Sequence, residues 1–343
     1  PLSGGVLAAT SAPDYSPDFF TGLITESNWK DISTNPDKPL INRYIQGTYI
    51  PGSIVKMITQ AALLEQNNFD KNNKYHCPGF YQFGDRIFGC WFTDGHGDLN
   101  LVEAMSVSCD VYFYKTVTQL SLKNLYDTFN QFGFGSKTNI DIPNEASGLV
   151  PDKSYMSKRY GKYGWSRGVL LNLAIGQGEL LVTPIQILNY INLLSTKGRS
   201  PNTHFVFVDN LPQNVKPELS SEIWNNIHEG LRSAIVSRNG TGKKSDPKFN
   251  DFLVYGKTGT AENPHGENHA WFVGWADYKE EKYSIVILLE NAGSGGAVAA
   301  PMAKKVFEKI IENSGFASKS VSYTHLRAHE TSLHLVCRLL LEK

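Results

Sequence analysis

Ser53 and Lys56 stand three residues apart at the head of an apolar run, and they are the first residues in the chain that could do chemistry together. The stretch from Thr48 to Leu64 opens on a Pro51-Gly52 turn signal. After it Ile54, Val55, Met57, Ile58, Ala61, Ala62 and Leu64 recur at helical spacing. Ser53 is thereby expected at the first turn of a buried helix, with Lys56 on the same face. A serine hydroxyl is a weak nucleophile until a base takes its proton. A lysine one turn away, desolvated enough to spend time neutral, can be that base. The positive end of the helix favours negative charge developing beside Ser53. The same letters also spell an N-cap followed by a solvated lysine, and so short a motif recurs by chance. Further residues have to supply the rest of the chemistry.

Three other stretches offer them. Ser108-Cys109-Asp110 places a hydroxyl and a carboxylate two positions apart, so both can reach a cleft if a helix end points into it. The hydroxyl could relay a proton between a lysine and a leaving group; the plain alternative is an exposed helical serine and aspartate. Gly256-Lys257-Thr258-Gly259-Thr260 reads as strand, and two glycines flanking Lys-Thr suggest close approach of another backbone. A substrate lying as an extra strand would use the free sheet edge. Lys257 with the Thr258 and Thr260 hydroxyls would hold a carboxylate. Gly176-Gln177-Gly178 followed by Thr183-Pro184 reads on its own as a structural turn. Separately, Cys77, Cys90, His96 and Cys109 put three thiols and an imidazole into a segment of little periodicity. An ordered segment without its own core needs another organiser, and a tetrahedral structural zinc would provide it. The spacing is wider than a zinc knuckle, and the competing reading is three small buried hydrophobes and a core histidine.

The elements that must position these residues follow from the pattern. Val6 to Ala9 is a short strand candidate, and residues 13 to 47 are polar, a loop with short helical turns. After the helix of Ser53, Asn67 to Asn100 is an ordered but irregular excursion. Helices are expected over Leu101 to Tyr114, Leu122 to Phe132 (ending at Gly133), Thr183 to Leu194 and Ser221 to Val236, with Gly148 to Gly168 as loop. From Phe252 the period changes: strands over Phe252 to Lys257, Ala270 to Ala276 and Tyr283 to Glu290, the last two joined as a hairpin through Asp277 to Lys282. A Gly/Ala-rich loop then leads to a final helix, Pro301 to Asn313. The expected fold class is α/β of the α+β type: an antiparallel sheet made from both termini, flanked by helices, with a mostly helical inserted subdomain over about residues 65–235. Residues 1–317 form one unit on this view, N-terminally truncated because the chain starts abruptly in what reads as a strand. Ser318 to Lys343 does not continue the pattern; it resembles translated adapter sequence and is read as a non-native or disordered tail.

Composition bounds the function. With 343 residues, 33 basic against 33 acidic side chains and no basic block, nucleic-acid binding is disfavoured. No apolar run approaches membrane-spanning length. The four cysteines, Cys77, Cys90, Cys109 and Cys337, fix neither a disulfide framework nor a compartment.

Taken in order, Ser53-Ile54-Val55-Lys56, Ser108-Cys109-Asp110 and Lys257-Thr258-Gly259-Thr260 match the motif set of penicillin-binding proteins and serine β-lactamases. With Tyr49-Ile50-Pro51-Gly52, Gly95-His96-Gly97 and Gly-Gln-Gly before Thr-Pro, the chain over roughly residues 4 to 315 resembles the transpeptidase domain of a class B penicillin-binding protein, of the penicillin-binding protein 2 branch. Asp110 stands where most of the wider family has Asn, a change that this branch tolerates. The resemblance implies a serine-type D,D-transpeptidase without organic cofactor, in which Ser53 attacks, Lys56 is the general base, Ser108 the relay and Asp110 a hydrogen-bond partner. Lys257, Thr258 and Thr260 would bind the terminal carboxylate, and the backbone N–H groups of Ser53 and Thr260 would form the oxyanion hole. It further implies peptidoglycan stem peptides and β-lactams as ligands, glycosyltransferase and elongation-complex partners, and a place on the periplasmic face of the inner membrane, the anchor lying outside this chain. Some relatives hold zinc near here with a ligand from the middle of the second motif, the position of Cys109. The rival expectations are a serine β-lactamase or D,D-carboxypeptidase and, outside enzymology, a β-lactam-sensing or scaffold domain.

Overall fold

The computed structural model describes residues 1–206, 213–263 and 266–316; the tail read as foreign, with Cys337, lies outside them. In chain order the helices are α1 (Glu26–Ser33), α2 (Lys56–Leu64), α3 (Leu101–Ser106), α4 (Asp110–Val117), α5 (Leu122–Gln131), α6 (Lys153–Tyr160), α7 (Gly168–Ala174), α8 (Pro184–Ser195), α9 (Ser221–Val236) and α10 (Ala299–Phe316). The strands are β1 (Tyr75–Cys77), β2 (Phe80–Phe83), β3 (Arg86–Gly89), β4 (Gly97–Leu99), β5 (Arg199–Pro201), β6 (Gln213–Val215), β7 (Phe252–Ala261), β8 (His269–Tyr278) and β9 (Glu281–Leu289).

The main sheet is antiparallel, in the order β7-β8-β9. β8 is apolar on both faces because each face has a layer to bury. Trp271, Val273 and Trp275 join the large core of the helical body, whereas Ala270, Phe272 and Ala276 pack with Phe307 of α10 in a second core. Burying each large apolar side chain contributes about 1.5–3 kcal/mol, and alternation across a strand lets one element serve both layers. Pairing of β8 with β9 continues as far as Tyr278 opposite Glu281, so the turn is tighter than the Asp277 to Lys282 expected. Lys279 takes a left-handed conformation there (φ 54°).

The helical body surrounds α2, which is buried along nearly its whole length. The fold class is as expected, with one correction: Val6 to Ala9 form no strand and add nothing to the main sheet, the nearby Gly5 making only an isolated bridge to His204. Local capping and pairing account for the other differences. Asp152 caps α6 by accepting from the Tyr155 N–H, so part of the expected loop Gly148 to Gly168 is helix. The irregular excursion contains two small antiparallel sheets, β1-β4 and β2-β3. The helix expected from Leu101 to Tyr114 breaks at Val107–Cys109, where Ser108 is left-handed (φ 57°) and the Cys109 thiol caps α4, accepting from the Tyr112 N–H at 3.4 Å. The helices α5, α8 and α9 fall where their caps and periodicity put them; Thr183 and Gln186 close a reciprocal capping box on α8.

Candidate active site

Ser53 lies in a short 3-10 turn, Gly52–Val55, that runs into α2. Three segments grip this turn. The Gly52 N–H donates to the Gly176 carbonyl at 2.8 Å, and Tyr49 exchanges backbone hydrogen bonds with Val182, 2.9 Å each way. A Cβ on Gly52, which is left-handed at φ 61°, would come within 2.8 Å of the Thr260 carbonyl oxygen; one on Gly259 would come within 2.8 Å of Ile54 Cγ2 and 3.0 Å of the Pro51 oxygen. Only glycine permits this approach of serine turn to strand. Gln177 completes the contact, its amide donating to the Thr260 carbonyl at 3.3 Å. The Gly-Gln-Gly turn, a weak signal as sequence, thus fastens the Ser53 turn to β7. On its far side β7 has no strand neighbour among the described residues.

Lys56 is wholly buried. Its ammonium donates to the Ser108 carbonyl at 2.8 Å, to Ser108 Oγ at 3.3 Å and to Asp110 Oδ1 at 2.8 Å, and lies 5.3 Å from the Phe113 ring centroid. All three of its protons have acceptors. Lys257, also wholly buried, donates to Ser108 Oγ at 2.7 Å and to the Thr258 carbonyl at 3.0 Å. Burial, then the neighbouring Lys56 charge, push the Lys257 amine well below the ordinary lysine range, with Asp110 opposing. Ser108 Oγ accepts from both ammonium groups, which leaves its own proton free to be given elsewhere. The left-handed backbone at Ser108 costs about 1–2 kcal/mol. It also turns the Ser108 carbonyl and hydroxyl together onto Lys56.

Asp110 spends both oxygens: Oδ2 accepts the Trp91 N–H at 3.0 Å. Trp91 was not singled out from sequence; its position directly after Cys90 was the available signal. The neighbouring cluster is compact. The ligand atoms of Cys77, Cys90, His96 and Cys109 all lie within 4.8 Å of one another. His96 Nδ1 is 3.6 Å from the sulfur of Cys77 and of Cys90, and its Nε2 is buried without a partner among the described residues. Metal–sulfur and metal–nitrogen bonds of about 2.3 and 2.0–2.1 Å at tetrahedral angles require an N···S edge of about 3.6 Å. The donor set therefore fits zinc. The Cys90 thiol is held far below the ordinary thiol range, first by the Cys109 side chain, with burial opposing and His96 assisting; Cys109 is driven up in turn.

The Ser53 turn thus packs on an open sheet edge, with two buried lysines meeting at Ser108, and comparison with known proteins gives the family. The Penicillin binding protein transpeptidase domain family matches residues 1–308, and the chain belongs to that family. Within it the chain is of the penicillin-binding protein 2 (MrdA) type. Peptidoglycan D,D-transpeptidase MrdA of Haemophilus influenzae is 31% identical over 90% of this chain and 51% of the relative. The chain thus spans about half the length of the curated relatives it matches. Among solved structures, PBP2 of Helicobacter pylori in complex with MreC superposes with a TM-score of 0.81 at 33% identity, covering 90% of this chain and 59% of that one. PBP2 of Pseudomonas aeruginosa in complex with WCK 5153 gives 0.82 at 31% identity, covering 89% and 68%.

Proposed function

We propose that this chain is the cross-linking part of a peptidoglycan D,D-transpeptidase. Ser53 Oγ attacks the penultimate D-Ala carbonyl of a stem peptide. The C–N bond breaks, the leaving amine takes a proton, and terminal D-Ala departs. An amine from a neighbouring stem then forms the new C–N bond, the Oγ–C bond breaks, and the proton returns to Ser53. Lys56 is the general base in its neutral amine form, reached when one of its three protons has left. It takes the Ser53 Oγ proton, Asp110 holds it, and Ser108 passes that proton on to the leaving amine. Lys257, with Thr258, Gly259 and Thr260, receives the terminal carboxylate along the β7 edge. The N–H groups of Ser53 and Thr260 hold the developing oxyanion, the contribution usually largest in acyl transfer.

The single observation carrying this reading is the meeting of three motifs at one atom: Ser108 Oγ lies 3.3 Å from Lys56 Nζ and 2.7 Å from Lys257 Nζ. β-Lactams would acylate Ser53 as mimics of the substrate. The test is covalent labelling by a fluorescent penicillin, which Ser53→Ala should abolish; labelling that survives would overturn the assignment. Release of bound penicillin over seconds would favour the β-lactamase reading, and failure to release D-Ala from a stem peptide would favour a sensor or scaffold.

The cysteine–histidine cluster is proposed as a closed structural zinc site, with Cys77, Cys90, His96 and Cys109 as ligands. Bound zinc would fix Cys109 and with it the strained Ser108 turn; no reaction step passes through it. Residues 1–317 are proposed as the transpeptidase unit, with its helical subdomain over about residues 65–235. By analogy with the PBP2–MreC complex and the peptidoglycan synthase complex among its structural neighbours, elongation proteins and a glycosyltransferase are proposed partners. The proposed location is the periplasmic face of the inner membrane; no helix among the described residues is long and apolar enough to cross a membrane.

A further inference from the structure

From Lys153 to Arg167 the chain carries five cations and no carboxylate, in a protein whose 33 basic and 33 acidic residues cancel. This stretch, α6 and the loop to α7, is built rather than slack. Met156 is buried beneath it, and the Trp165 indole donates to Ser157 Oγ at 3.2 Å. Arg159 is committed to Glu179 at 3.1 Å, and Arg167 to the carbonyls of Thr118 and Leu120 at 2.6 and 3.4 Å. Lys153, Lys158 and Lys162 form no ion pair among the described residues, and all three are exposed; Lys162 lies 5.3 Å from the Tyr163 ring centroid, and the Arg159 guanidinium 5.5 Å from that of Tyr160. Beside them Tyr163 is 88% and Tyr160 44% exposed.

Glu179 ties this arm to the cleft. It accepts from the Tyr155 hydroxyl and the Arg159 guanidinium, 3.1 Å each, and it follows directly on the Gly-Gln-Gly turn that clasps the Ser53 turn and Thr260. At the foot of the arm lies a solvent-open hollow of about 530 Å³, lined by Trp165, Arg167, Gln119, Ser121 and Asn124 among others. Leu120, Leu122 and Leu170 complete its lining. With the Trp165 ring they give an apolar floor, edged by the neutral hydrogen-bonding groups of Gln119, Ser121 and Asn124. This suits a ring-bearing ligand with polar substituents, and the size lies within the usual range for ligand sites.

Unpaired ammonium groups next to exposed aromatic rings complement a sugar chain hung with carboxylate-bearing peptides. We propose that the α6 arm and the hollow at its foot hold a strand of such an anionic saccharide–peptide polymer alongside the cleft, so that its peptide reaches Ser53. This rests on the transpeptidase reading and adds to it where the glycan runs. The arm's lysines touch no reacting atom; they position the polymer.

The experiment compares the full chain with a Lys153→Gln/Lys158→Gln/Lys162→Gln variant and, separately, Tyr163→Ser. Three probes are used: soluble uncross-linked peptidoglycan strands, fluorescent penicillin and phosphatidylglycerol vesicles. The lysine variant should bind strands about tenfold more weakly at low salt, the sum of three exposed charge contacts of ordinary strength. The difference should shrink as salt rises, and Tyr163→Ser should weaken binding at all salt concentrations. Penicillin acylation should stay within about twofold of the parent. Unchanged strand affinity in both variants would overturn the inference. So would loss confined to the anionic vesicles, or loss of penicillin acylation together with strand binding. A parent chain that binds strands but is not acylated would instead sink the transpeptidase reading.

Discussion

At the residue scale, the Ser108 hydroxyl is the group on which the site turns, and its neighbours decide what titration does. Lys257 sits below the ordinary lysine value of 10.5 because it is buried beside Lys56. Between its lowered folded value and 10.5 the unfolded chain binds the extra proton. The stability this group withholds at low pH is therefore recovered as pH rises through that window. Carboxylate binding runs the other way, since it needs the ammonium form. Initial capture of a carboxylate-bearing β-lactam should weaken as pH rises through the folded value. Lys257→Met should abolish that dependence while lowering acylation at neutral pH by about a hundredfold or more, the scale set by losing a positioned charge at the reacting centre; an unaltered pH profile in Lys257→Met would exclude the assignment. Asp110→Ala removes the carboxylate opposite the buried Lys56, leaving it only the Ser108 carbonyl and hydroxyl. Removing one member of a buried pair costs about 3–5 kcal/mol, so equilibrium unfolding should report a loss of that size along with loss of acylation. Ser108→Gly should relieve the left-handed backbone but also strip both buried lysines of the hydroxyl they share, at about 1.5–3 kcal/mol for each such bond. It should therefore lower the melting temperature and acylate far more slowly, while Ser108→Ala, which keeps the strain, should melt lower still.

At the element scale, the contact of the serine turn with β7 is the critical joint. Gly259→Ala would force a Cβ against Ile54 and the Pro51 carbonyl, displacing the turn by a few tenths of an ångström or more. Since misplacement of about 1 Å can cost a hundredfold, penicillin acylation should fall by about ten- to a hundredfold with little change in secondary structure by circular dichroism. The two small sheets β1-β4 and β2-β3 have too little apolar surface to stand alone, and the cluster of Cys77, Cys90, His96 and Cys109 lies where they meet α4. Purified protein should contain one zinc per chain, and a strong chelator or Cys77→Ser should lower the melting temperature by several degrees. Metal analysis that finds none, with a chelator-insensitive melt, would dismiss the zinc.

At the scale of the whole molecule, two cores share one strand: β8 gives Trp271, Val273 and Trp275 to the helical body and Ala270, Phe272 and Ala276 to the layer under α10. The candidate active site lies along the sheet's open β7 edge, where the helical body presents α2 and the turn between α3 and α4. Because the family matches only as far as residue 308, a chain ending at residue 317 should label with fluorescent penicillin at the same rate as the full chain and melt within a few degrees of it. A large loss would show that the last residues belong to the domain.

Local pattern alone determined much of this protein. Pro51-Gly52 with the apolar period behind it set Ser53 at a helix start, Thr183-Pro184 began α8, and the change of period after Phe252 marked the hairpin strands. Those signals are local because turn chemistry, capping and periodicity act within a few residues. Tertiary structure alone decided the rest. The Ser108 break, the bond from the Trp91 amide to Asp110, the clasp of Gly176 on Gly52 and the depressed basicity of Lys257 each depend on packing against segments brought in from elsewhere in the fold. The energies involved, close packing and the desolvation of charge, exist only once those segments are folded together.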